Sequence, residues 1–170
     1  MVRPTAGLIN NMKHKHVKIA VADTNVRGVE HVPAIEFENG EWELINSPLY
    51  ATQVAAGDII RILDSETGAF EIVHHGGNIS VQFYLAETQA DDIQATNTVI
   101  KDLASAIAAL NGRMDGYTAG LIVYSIPAKA GFSSIEKLFD AAVFRFPGAQ
   151  WQYCNVFNPS TGEPLNWWDK

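Results

Sequence analysis

Apolar and polar residues alternate along the first half of the chain, and apolar residues recur at helical spacing along much of the second. The two regimes meet at Gly76-Gly77-Asn78-Ile79-Ser80-Val81-Gln82-Phe83-Tyr84-Leu85. Ile79, Val81, Phe83 and Leu85 fall on one face of a strand, with Ser80, Gln82 and Tyr84 on the other. The glycine pair permits a sharp turn into it. The pattern predicts a strand against which both halves of the molecule pack.

Upstream, Val17, Ile19 and Val21 alternate with Lys18 and Ala20, which predicts a first strand. Asp23-Thr24-Asn25 turns the chain. Residues 32–37 read as a second strand, and Glu38-Asn39-Gly40-Glu41 as a hairpin, because Asn-Gly suits a two-residue turn. Residues 42–45 return as a third strand. Asn46-Ser47-Pro48 ends it, since proline cannot donate to a ladder. Gly57-Asp58 opens another strand over 59–63, the run from Asp64 to Gly68 is a polar turn, and Phe70, Ile72 and His74 share a face of the next strand. Short strands at this spacing predict a bent sheet or partial barrel.

Downstream, Asp91 or Asp92 is placed to cap a helix. Ile93, Ile100, Leu103, Ile107 and Leu110 form its stripe, and Asn111-Gly112 its left-handed stop. Residues 121–126 are almost all apolar, as in a covered central strand. Ser133 and Glu136 have capping-box spacing ahead of a second stripe: Ile135, Leu138, Phe139, Ala142, Val143 and Phe146. A last strand is expected over 150–157. The predicted class is α+β: an N-terminal β-rich bent sheet or partial barrel, then a β-α-β-α-β ferredoxin-like sandwich. The expected organisation is a flexible arm over 1–16, a compact two-lobed domain over 17–157 divided at 78/79, and a tail over 158–170.

A chain of 170 residues with 47% apolar content has enough core to fold without staples. One cysteine, Cys154, excludes an internal disulfide and fits a cytoplasmic protein. No apolar run matches a signal peptide or a membrane span. The net charge of −7 is unevenly placed. Residues 30–92 hold twelve carboxylates and one cation, Arg61, a net of −11. Such a lobe repels nucleic acid and attracts a basic partner.

Candidate chemistry is sparse. His74-His75 would supply a general base with Glu71 or Asp64 to orient it, but adjacent strand residues face opposite ways, so one imidazole at most enters a site. Cys154 lies in an apolar strand and reads as an inert thiol. His14 and His16 lack a third metal ligand nearby. Asp91 and Asp92 are explained by helix capping. No nucleophile elbow, phosphate loop or dinucleotide fingerprint is present. The expectation is a non-enzyme without cofactor or metal. Trp42 and Trp151 read as core, and the tail pair Trp167-Trp168 as a staple of the tail onto the body.

Glu41-x-x-Leu44, Asn46-x-Pro48-Leu49-Tyr50-Ala51, Gly57-Asp58-Ile59-Ile60 and Gly76-Gly77-Asn78 follow one another in an order and spacing that resemble a bacterial family, domain of unknown function 4265. The resemblance spans roughly residues 17–157 and implies a small bacterial protein with no established activity. Some similar small domains act as immunity proteins beside toxin genes.

Together these readings predict an immunity protein that occludes the basic active-site cleft of a cognate protein toxin. Glu36, Glu38, Glu41, Glu43, Asp64 and Glu66 are the expected partner-binding residues, with no nucleic-acid or membrane contact. The alternative is a ligand-sensing or regulatory ferredoxin-like domain, which requires a small-molecule pocket where the lobes meet.

Overall fold

A computed structural model of the chain describes residues 14–22 and 27–169. Most of the expected arm, and the expected 23–25 turn, lie outside the described residues. The first lobe is an antiparallel meander in chain order: β1 (Lys15–Ala22), β2 (Arg27–Glu36), β3 (Glu41–Leu44), β4 (Ile59–Asp64) and β5 (Ala69–His74). β1 thus takes in residues 15 and 16 of the expected arm. Val17 pairs with Val32, Trp42 with Ile60, and Ile60 with Ile72. This register puts Val17, Ile19, Val32, Ala34, Leu44 and Ile60 together in a core. No helix interrupts residues 30–75.

The meander bends back on itself. The Ala20 amide donates to the Gly68 carbonyl at 2.8 Å, tying the β4–β5 turn to β1. Gly68 has φ +76, and a Cβ there would lie 2.8 Å from the Ala20 nitrogen. Both conditions demand glycine.

The second lobe runs β6 (Asn78–Tyr84), α1 (Ile93–Ala109), β7 (Arg113–Thr118), β8 (Leu121–Pro127), α2 (Phe132–Arg145) and β9 (Gln150–Tyr153). Its sheet has the order β7-β8-β6-β9, with every neighbouring pair antiparallel. Ile79, Val81, Phe83, Ile122, Tyr124 and Ile126 share one core with Leu103 and Ile107 of α1 and Ile135 and Phe139 of α2. Both helices therefore cover the same sheet face. Among the described residues the architecture is α+β, with two α-helices and two antiparallel sheets.

Several sequence expectations need correction. β7 was not expected: Arg113-Met-Asp-Gly-Tyr-Thr118 has no apolar alternation, and an irregularity between Met114 and Gly116 shifts its register. The lobe is thus β-α-β-β-α-β. β9 ends at Tyr153, not at 157. The capping box at Ser133 does not form, because α2 begins at Phe132 and the Gly131 carbonyl accepts the Ser134 and Ile135 amides. In α1, Asp92 is the cap, accepting from the Gln94 and Ala95 amides at 2.9 Å each, which contributes about 1 kcal/mol. Ile93 beside it is exposed, and the buried positions are Thr96, Val99, Leu103 and Ile107.

The tail is stapled as expected. Trp167 is buried and its indole donates to the Asn155 carbonyl at 2.7 Å. Trp168 meets Phe132 edge-on at 5.0 Å. Among the described residues no helix is long and apolar enough to cross a membrane.

Candidate functional site

The strand pattern of β6 explains how the lobes meet. Its apolar face packs on the helices, and its polar face receives residues 45–58, the long β3–β4 connection. Gln82 donates from Nε2 to the Leu49 carbonyl at 2.6 Å. Ser47 donates its amide to Asp115 Oδ2 at 2.6 Å, and its hydroxyl lies 2.6 Å from that of Ser125. Ser125 also donates to Asp115. Asn46 reaches the Asp115 carbonyl at 2.9 Å, and Arg113 donates to the Ile45 carbonyl. From the first lobe, the Glu30 carboxylate gathers the amides of Leu49, Tyr50 and Ala51 at 2.6, 2.9 and 3.1 Å. Each such bond contributes about 1 kcal/mol net, but stranding a buried donor costs more.

Two backbones touch beside this seam. A Cβ on Gly76 would lie 2.2 Å from the Gly57 carbonyl carbon, so a side chain cannot be added without parting the chains. Asp58 is fully buried and bridges the same two segments, accepting from the Ala55 amide at 2.9 Å and the Gly76 amide at 2.7 Å. Asn78 closes the arrangement, donating to the Ala56 carbonyl at 2.7 Å. Asn46, Gly57, Asp58, Gly76 and Asn78 are therefore parts of one joint.

His75 leaves the joint toward a cleft. Its Nδ1 is buried 3.5 Å from Asp58 Oδ2, in electrostatic contact but outside hydrogen-bond geometry, and has no hydrogen-bond partner among the described residues. The ring stacks on Trp167 at 4.9 Å and 19°. The cleft is open, about 680 Å³ in volume, and walled by residues 73–78, 127–129 and 167–168. The carboxylate facing His75 is Asp58, not Glu71 or Asp64. Glu71 pairs with Arg61 at 2.7 Å, and Asp64 accepts the Glu66 and Thr67 amides of its own turn. Those turn bonds hold the Asp64 carboxyl below its ordinary range. Asp58 was legible in the sequence as part of the step that opens β4 but not as a partner for His75, because two strands and their turn, 16 residues in all, lie between them.

The six expected partner-binding carboxylates divide. The β2–β3 and β4–β5 turns leave the meander at the same end, the one remote from the joint. Glu38 and Glu66 are exposed in these turns, with Asp64 beside Glu66 and Glu36 at the end of β2. Glu36 pairs with Lys15. Glu41 is 5% exposed and pairs with Arg61 at 2.6 Å; hydrogen bonding to Asn39 and then to Arg61 lowers its pKa. Glu43 shares the Glu41 face of β3, opposite Trp42 and Leu44, and lines a second cleft toward Arg113. The structure thus commits Glu36 to Lys15 and Glu41 to Arg61, leaves Glu38, Asp64 and Glu66 exposed at the two turns with Lys18 bonded to the Glu66 carbonyl, and places Glu43 nearer the joint.

Cys154 is half-buried, and burial pushes its thiol up to about 12, which disfavours nucleophilic chemistry. Among the described residues no group of three or more His, Cys, Asp or Glu side chains is placed to hold a metal ion.

The molecule is thus an α+β protein of two lobes sealed by a polar joint, with an aromatic-walled cleft at its margin. The chain belongs to the family described as a domain of unknown function, DUF4265, whose model matches residues 30–144. That span holds the whole joint but not β1, β9 or the tryptophan tail. A solved structure of a hypothetical protein from Neisseria gonorrhoeae is similar, with TM-score 0.64 and 15% identity over 84% of this chain and 94% of that one. At that identity the likeness concerns the fold. No curated protein matches.

Proposed function

We propose that this is a bacterial, cytoplasmic, non-enzymatic immunity protein that neutralises a cognate toxin by laying the acidic tip of its first lobe into a basic cleft. The observation behind the reading is the placement of charge. Exposed Glu38 and Glu66, with Glu36 and Asp64 near them in sequence, lie in the β2–β3 and β4–β5 turns, at the end of the meander opposite the β3–β4 connection. A convex acidic tip suits insertion where a phosphate-bearing substrate would otherwise lie, and long-range attraction would speed capture. The order β7-β8-β6-β9, with each helix joining strands separated by one antiparallel neighbour, supports reading the second lobe as a ferredoxin-like sandwich that carries this tip.

The test is association with the toxin encoded by the adjacent gene, followed by stopped-flow at several ionic strengths. Glu38→Lys combined with Glu66→Lys should slow capture severalfold at low salt, with unchanged circular dichroism and little change in dissociation. A salt-independent association rate, or full protection by the folded double variant, would overturn the reading.

A further inference from the structure

We propose that the cleft at the lobe joint is a binding site for a small aromatic carboxylate. Its volume of about 680 Å³ lies within the roughly 300–1,000 Å³ usual for small-molecule sites, and it sits at a junction between two structural units, where such sites concentrate. The site is distinct from the acidic tip, at the opposite end of the meander.

Its walls favour a flat ring. His74, His75, Trp167 and Trp168 all contribute to the lining. Three of these rings are fixed by the protein itself. Trp167 is held by its indole bond to the Asn155 carbonyl and by stacking on His75, Trp168 by edge contacts with Trp167 and Phe132, and His75 by Trp167 and the buried Asp58 carboxylate. An aromatic wall already ordered loses little entropy when a ligand stacks on it.

The rim favours an anion. Lys129 lines the cleft, is exposed, and makes no ion pair among the described residues. The nearest buried charge, Asp58, is already occupied by the Ala55 and Gly76 amides and lies behind His75. A carboxylate on the ligand would take Lys129 at the mouth while its ring lies against Trp168 and the His75 edge of the wall.

The experiment is a 1H–15N NMR titration of the intact chain with indole-3-acetate, its neutral amide indole-3-acetamide, and acetate. Indole-3-acetate should give saturable shifts confined to amides of residues 74–78 and 128–129 and the Trp168 indole, with a dissociation constant of ~1 mM or tighter. Lys129→Ala, an exposed substitution, should weaken it about tenfold with the spectrum otherwise intact. The amide should bind correspondingly less well, and acetate should not saturate. Equal binding of the amide, equal response to acetate, unchanged affinity in Lys129→Ala, or no saturation with indole-3-acetate would each overturn the proposal.

Discussion

The two lobes solve one problem differently. Each has an antiparallel sheet with an apolar face to bury. The second lobe carries its own cover: two helices bring Leu103, Ile107, Ile135 and Phe139 onto β6 and β8, and the core admits large rings such as Phe83 and Tyr124. The first has no helix among its described residues. It bends until the β4–β5 turn meets β1, and it buries Ala51 and Val54 of the β3–β4 connection against smaller side chains. That same connection covers the polar face of β6. The comparison teaches that the first lobe completes itself with a segment that it shares with the second.

The largest expected effect sharpens the contrast in cores. Phe139 is fully buried and packs near Phe83, Tyr124 and Trp151. Phe139→Ala should cost about 3–5 kcal/mol in urea unfolding, at or above the about 2–5 kcal/mol of Leu44→Ala in the first lobe. A much smaller loss would mean that the helix layer collapses readily onto the gap.

Next in size is the joint. Asp58→Ala would strand the Ala55 and Gly76 amides, at about 1–3 kcal/mol for each donor left unsatisfied. Denaturation that matches wild type would show that water replaces the carboxylate and that the bridge is dispensable.

The smallest effect is electrostatic and belongs to the first lobe alone. The folded protein holds Glu41 and Asp64 below their ordinary values of 4.5 and 3.8. A depressed folded pKa contributes stability above the unfolded value, and that contribution is lost as pH falls through the folded one. Melting temperature should therefore drop as pH is taken below about 4.5, and the drop should be shallower in Glu41→Gln. Parallel curves would remove Glu41 from the acid transition.

The fold was legible where periodicity is local. Val17, Ile19 and Val21 announced β1, the Asp91-Asp92 pair announced the start of α1 without saying which of the two caps it, and Ile135, Phe139 and Ala142 the buried stripe of α2. β7 escaped because its pairing is set by β8 rather than by its own pattern. The site was legible in part. Asn46, Gly57, Asp58 and Gly76 stand out as turn or connection residues and lie outside the strands, whereas Asn78 opens β6. Their contacts with Asp115 and one another, and that of neighbouring Ser47 with Ser125, reach across as many as 78 positions, where local pattern carries no information. The acidic block was visible as a sum, but only the register separates the paired Glu41 from the exposed Glu38 and Glu66.

The central claim is that the joint makes the two lobes one cooperative unit. Native-state hydrogen exchange on wild type and Gly76→Ala tests it most directly, because the added methyl must part Gly57 from Gly76. In wild type the slowest amides of β1 and β2 should open with the same free energy as those of β6 and β8, and the substitution should lower both by the same amount. Loss of protection in β1 and β2 alone, with β6 and β8 unchanged, would show that the lobes unfold separately and would contradict the account.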